Sequence, residues 1–175
     1  MKIYLLGFMG SGKTSIGKRV ANQLKYNFLD LDEYLENKNK KTIPDIFKEE
    51  GEDKFRELEK EALHDTFKMD DVVIAAGGGT PCFFDNINQI NDHGISFYLK
   101  RKAEFFVEKL LASKTERPLV KGKTKKELMD YVTQTLEYRN QFYELATKVY
   151  KVKDRDKDEM AERIVKKIKK VIKKK

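Results

Sequence analysis

Residues 7–14 read Gly-Phe-Met-Gly-Ser-Gly-Lys-Thr, and no other stretch restricts the fold so tightly. The pattern is G-x-x-x-x-G-K-[ST], a Walker A loop whose backbone N–H groups close around phosphate oxygens. Such a loop works only between a buried strand and a helix that aims its positive end at the phosphates. The chain supplies both. Ile3–Leu6 is an apolar run before the loop, and Lys13–Leu24 has a helical pattern after it. Lys13 is expected to reach the β and γ oxygens, and Thr14 to ligate Mg²⁺ through its hydroxyl. Gly10, Ser11, Gly12 and Ser15 complete the expected nucleotide-binding set.

Alternation continues beyond the loop. Further strands are predicted at Asn27–Leu31, Val72–Ala76, Ile95–Leu99 and, more weakly, Lys148–Val152. Between them lie helical patterns at Asp32–Asn37, Pro44–Phe67 with a break near Gly51, Ile87–His93, Ala103–Leu111, Lys125–Ala146 and Asp158–Ile172. Strands separated by helices imply βαβ units. The expected architecture is a three-layer αβα fold around a five-stranded parallel sheet, in one domain of 175 residues. In such sheets the ligand sits beyond the carboxyl ends of the strands. The Walker loop, the acids Asp30 and Asp32, and Gly77–Gly79 all fall there.

Composition excludes several alternatives. One cysteine, Cys82, cannot form an intrachain disulfide, and His64 and His93 lack metal-site spacing. No apolar run approaches the ~20 residues of a membrane helix. A cytoplasmic location without membrane contact follows as the expectation. The net charge of +8 comes almost wholly from residues 151–175, with twelve basic against five acidic residues. That distribution argues against a nucleic-acid channel through the core and leaves a basic C-terminal helix at about 158–175.

Asp30-Leu31-Asp32 puts two carboxylates on one side of a strand end. They could hold Mg²⁺ through water or take a hydroxyl proton. Alone they could also cap the next helix, but beside the Walker loop the functional reading is favoured, and Asp30 is the best substitute for the magnesium acid that is missing after Val72–Ala76. Gly77-Gly78-Gly79 suggests close backbone approach to a ligand, or a plain reversal before Pro81. Arg56, Arg117 and Arg139 stand out among many lysines, since a guanidinium forks onto carboxylate or phosphate. Each alone also fits a solvated charge.

Taken together, these segments resemble the shikimate kinase family, P-loop kinases of nucleoside monophosphate kinase topology. The resemblance covers Met1 to about Ala146. It rests on residues 7–14, L-D-L-D at 29–32, I-F at 46–47, G-E-D-K-F-R-E-L-E at 51–59, G-G-G at 77–79, R-P-L at 117–119 and Y-R-N-Q-F-Y at 138–143. It implies transfer of the ATP γ-phosphoryl group to the 3-hydroxyl of shikimate, within aromatic amino acid biosynthesis. Lys13 would bind phosphate, Thr14 Mg²⁺, and Asp30 the same ion through water. Asp32 would bind the shikimate hydroxyls and help to remove the proton. Arg56 and Arg139 would clamp the carboxylate beside Gly78 and Gly79, with Phe47, Phe55 and Glu59 lining or supporting the pocket. Substrate-binding helices would span about 32–67, and a mobile lid about 112–124 would carry Arg117 onto the transferring phosphate. Where the family often stacks an arginine on adenine, this chain has Lys109 and Leu110. The expected partners are ATP and shikimate, and the expected state is a monomer. Another small-molecule kinase of this fold, for gluconate or a nucleoside monophosphate, is the nearest rival. Phe55-Arg56 and the Asp30/Asp32 pair favour a carboxylated polyol. A nucleic-acid-binding P-loop module would have to use the basic end.

Overall fold

The computed structural model describes residues 1–112, 123–152 and 156–172. Five parallel strands, β1 (Lys2–Leu6), β2 (Asn27–Asp30), β3 (Val72–Ala75), β4 (Ile95–Lys100) and β5 (Lys148–Lys151), lie in the order β2-β3-β1-β4-β5. The helices are α1 (Lys13–Leu24), α2 (Leu31–Asn39), α3 (Ile43–Thr66), α4 (Asn86–His93), α5 (Ala103–Leu111), α6 (Lys125–Tyr143) and α7 (Lys157–Ile172).

The period of two along β1 explains the layers. Ile3 and Leu5 face one side, with Val73, Phe97 and Leu99, where α1 and α7 bring Ile16, Val20, Ile164 and Ile168. Tyr4 and Leu6 face the other side, with Ile74 and Tyr98, against Leu63 of α3, Ile87 and Ile90 of α4 and Tyr143 of α6. A strand buried on both faces must be apolar throughout, which is why β3 reads Val-Val-Ile-Ala. A third cluster pins the phosphate loop. Phe8 packs with Phe106, Val107 and Leu110 of α5 and Leu128, Val132 and Leu136 of α6.

Local chemistry sets the boundaries. Asp30 ends β2 and caps α2, accepting from the Asp32 N–H at 3.2 Å. Leu31 therefore opens a helix instead of ending a strand. The break near Gly51 is real: its φ of 83° interrupts α3. Thr124 and Glu127 form a capping box that starts α6. That helix ends at Tyr143, three residues before the predicted Ala146, because the chain turns there to enter β5. A 3-10 turn at Thr80–Cys82, which no periodicity in the sequence signals, follows the three glycines. The helical spacing predicts one apolar face of Met160, Ile164, Ile168, Val171 and Ile172 on α7; Met160, Ile164 and Ile168 are buried, joined by Ala161 and Val165, Val171 is partly buried, and the side chain of Ile172 lies outside the described residues. The segment expected to form a lid, about 112–124 with Arg117, and the lysine run 173–175 lie outside the described residues, apart from positions 112, 123 and 124.

Candidate active site

The strand order brings the carboxyl ends of β1, β2 and β3 side by side. The phosphate loop follows β1, the acids follow β2, and the three glycines follow β3.

The loop takes its shape from glycine. Gly10 and Gly12 have φ of 77° and 100°, a region that L side chains rarely adopt. The Lys13 ammonium donates to the carbonyls of Gly7 at 2.8 Å and Phe8 at 3.1 Å. Burial pushes its pKa down to about 8, against the pull of Asp32 and Asp30. Thr14 Oγ1 donates to Asp30 Oδ2 at 2.7 Å, and Ser15 Oγ donates to the Gly12 carbonyl at 3.3 Å. Both roles expected of Asp30 are thus compatible, one oxygen capping α2 and the other meeting Thr14. The pair is a hard-oxygen donor set beside the loop, which suits Mg²⁺ held largely by phosphates and water. Among the described residues no group of three or more His, Cys, Asp or Glu side chains could hold a metal.

The glycine segment is a point of convergence. A Cβ on Gly77 would come within 2.7 Å of Asp32 Oδ1 and Glu59 Oε1, and within 2.8 Å of Thr80 Oγ1. On Gly79 it would lie 2.7 Å from Arg56 Nη1, and on Gly78 3.2 Å from Arg139 Nη1. At each of these glycines a neighbouring side chain occupies the space a Cβ would need. Asp32 has its pKa pushed up to about 6, first by burial, then by the neighbouring Glu59 and Asp30 carboxylates.

Arg56 is 12% exposed and Glu59 only 2%. Arg56 Nη1 donates to Glu59 Oε2 at 2.8 Å, and Nη2 and Nε reach Glu52 Oε1 at 3.0 and 3.3 Å. Glu59 also accepts from Thr80 Oγ1 at 2.5 Å. Phe47 and Phe55 stack as a tilted pair with centroids 4.6 Å apart. Arg139 lies over the Phe8 ring at 5.6 Å. Among the described residues, no carboxylate forms an ion pair with it. The sequence-derived residues 10–15, 30, 32, 56, 59, 78, 79 and 139 therefore meet at one end of the sheet.

Lys109 runs beside the phosphate loop, its Cδ 3.9 Å from where a Cβ on Gly10 would sit and its Nζ 5.4 Å from the Phe105 centroid. Leu110 points into the third cluster instead. Three contributors lie outside the sequence-derived motifs, and a fourth, Tyr143, enters them only as the last residue of Y-R-N-Q-F-Y at 138–143. Tyr143 donates its hydroxyl to the Gly78 carbonyl, Thr80 holds Glu59, Phe83 lies under Arg56, and Arg101 Nε donates to the Ser11 carbonyl at 3.3 Å. Only Tyr143 carried a signal, the i, i+4 spacing from Arg139 on α6.

Comparison with known proteins points one way. The family model described as Shikimate kinase matches residues 9–169. A shikimate kinase of Phocaeicola vulgatus is 43% identical over 86% of this chain and 86% of its own length. The crystal structure of shikimate kinase from Bacteroides thetaiotaomicron superposes with a TM-score of 0.88 at 38% identity, covering 99% of this chain and 98% of that one. Shikimate kinase from Acinetobacter baumannii, solved in complex with shikimate, gives 0.84 at 32% identity over 95% of this chain and 92% of that one.

Proposed function

The chain belongs to the shikimate kinase family, and we infer from that premise and from its own site how it transfers the ATP γ-phosphoryl group to the 3-hydroxyl of shikimate. The products are shikimate 3-phosphate and ADP. One observation carries the assignment of roles: the phosphate loop, Asp32, Arg56 and Arg139 converge around Gly77–Gly79.

The loop amides and Lys13 hold the ATP phosphates. Lys13 leaves the Gly7 and Phe8 carbonyls to do so, exchanging two neutral acceptors for anionic oxygens. Thr14 and Asp30, whose side chains meet beside the loop, would hold Mg²⁺, and the ion would supply neutralisation of charge on the phosphates. Arg56 and Arg139 receive the shikimate carboxylate, since each guanidinium can fork onto two oxygens. That grip fixes the ring so that one hydroxyl faces the γ-phosphorus in line with the leaving ADP oxygen. The hydroxyl oxygen bonds to phosphorus, the bond to ADP breaks, and Asp32 takes the proton. An Asp32 pKa of about 6 leaves the carboxylate ionised at pH 7 yet basic enough to assist. Arg117 is assigned by resemblance to stabilise the moving phosphoryl group, and Lys109 to border the base.

The whole chain works as one domain, with residues 32–67 forming the substrate side and about 112–124 the lid. We place it in the cytoplasm, where ATP is available and the buried free thiol of Cys82 stays reduced. No described helix is long and apolar enough to cross a membrane. A monomer without nucleic acid suffices, because one chain supplies every group named above. A coupled ADP-release assay offering shikimate, gluconate and AMP in turn tests the function. Turnover with shikimate alone is the expected result, and preference for either rival would refute it.

A further inference from the structure

Arg56 has a floor as well as walls. Its in-plane hydrogen bonds go to Glu59 and Glu52. Those contacts use three of the five N–H groups and leave one on each terminal nitrogen, which is what a carboxylate fork requires. The guanidinium carbon lies over the Phe83 ring, with Cζ 3.9 Å from the centroid, and the Phe55 centroid is 4.8 Å away. An aromatic face attracts the cation without consuming a donor, so it can orient the fork and still leave it free.

Phe83 reaches this place through a tightly held turn. The Cys82 N–H donates to the Gly79 carbonyl at 2.8 Å, and Asn86 Nδ2 donates to the Thr80 carbonyl at 2.9 Å. The next residue, Phe84, has φ of 51°, a left-handed conformation unfavourable for a bulky side chain, and its own ring is mostly exposed. Strain of this kind persists where surrounding structure over-determines it. Here the hydrogen-bonded turn on one side and α4 on the other do so.

We propose that Phe83 is a positioning residue for substrate carboxylate recognition, holding the Arg56 fork in position before shikimate arrives, and that the left-handed Phe84 delivers the ring to that place. The proposal rests on Arg56 being a carboxylate clamp. Pre-organisation of this kind shows in substrate affinity more than in the chemical step.

Steady-state kinetics of the full chain test it, using Phe83→Leu, Phe83→Tyr, Arg56→Lys and the Phe83→Leu/Arg56→Lys double variant. Phe83→Leu should raise KM for shikimate roughly three- to tenfold, with kcat and KM for ATP close to wild type. Phe83→Tyr should restore KM. The double variant should be little worse than Arg56→Lys alone, because the ring acts through the fork. Should the leucine variant fail to fold, Phe83→Met fills the volume without an aromatic face and carries the same comparison. Wild-type KM in Phe83→Leu beside an impaired Arg56→Lys would overturn the Phe83 proposal while sparing the clamp. A parallel loss in kcat and both KM values would also overturn it, as a merely structural role. Wild-type kinetics in Arg56→Lys would remove the clamp itself.

Discussion

Two buried titratable groups define the residue scale, and their environments push them toward each other. Asp32 rises to about 6 and Lys13 falls to about 8, both chiefly through burial. The free enzyme should therefore show a bell-shaped profile of kcat/KM for ATP, with limbs near these values. ATP phosphates favour the ammonium form, so the alkaline limb of kcat should move upward. Rate measurements across pH 5–10 check both statements. The raised Asp32 pKa also has a stability consequence. Its ionised form is disfavoured in the fold, so stability is lost as pH rises from the ordinary aspartate value of 3.8 through about 6. Two pKa units set an upper bound of about 3 kcal/mol. Asp32→Asn should melt above wild type at pH 7, with the gap closing near pH 4, while turnover falls by about a hundredfold or more. Thermal melts paired with assays at the two pH values measure it. Lys13→Ala should lose almost all turnover with its fold intact, because among the described residues the ammonium donates only to two loop carbonyls. Circular dichroism beside the assay separates the two, and substantial activity in this variant would count against the phosphate role.

At the scale of elements, the segment after β3 is held as much by absence as by contact. Gly77→Ala would force a methyl against Asp32, Glu59 and Thr80, and Gly79→Ala against Arg56. Both should impair shikimate turnover, whereas Gly51→Ala meets open space and should act only through the strained φ at the α3 break. Comparing kcat/KM with melting temperature in the three variants distinguishes a site defect from a helix defect. On α5, Lys109 lies along the loop while Leu110 is committed to the core. Lys109→Arg should bind ADP several-fold more tightly with kcat nearly constant, since a planar guanidinium stacks better than a compact ammonium, by roughly 0.5–2 kcal/mol. Calorimetric titration with ADP measures this, and equal affinities would move Lys109 away from the base.

The molecule as a whole separates its charge from its chemistry. The site lies at the carboxyl ends of β1, β2 and β3, whereas the excess basic charge belongs to residues 151–175. Within that stretch α7 seats Met160, Ala161, Ile164, Val165 and Ile168 against α1 and the sheet. Lys173–Lys175 follow the last apolar pair, Val171 and Ile172, in the sequence, so their removal is expected to expose no core. Truncation after Ile172 should leave kcat unchanged and shift stability by no more than about 0.5 kcal/mol. Activity and melting temperature of the truncated chain decide it, and a collapse of kcat would give the basic end a role in catalysis.

The residues themselves determined the phosphate loop, the order of strands and helices, and the short list of acids, glycines and arginines. Each of those is written locally, in a spacing of a few residues or a period of two or 3.6. The loop between strand and helix, the Asp30 cap and the Gly51 break needed no distant partner to be legible. The resemblance of the spaced motifs then joined these pieces into one site. Contacts between residues far apart in the chain emerge only in the packed fold. Thr80 reaches Glu59, Phe83 slides beneath Arg56, Arg101 ties to Ser11, and Leu110 turns inward while Lys109 stays by the loop. No local pattern encodes such pairings, because they depend on how β3 and β4 flank β1 and on which helix face each layer buries. Periodicity names the residues that face inward, but the packing of one layer on another chooses their neighbours.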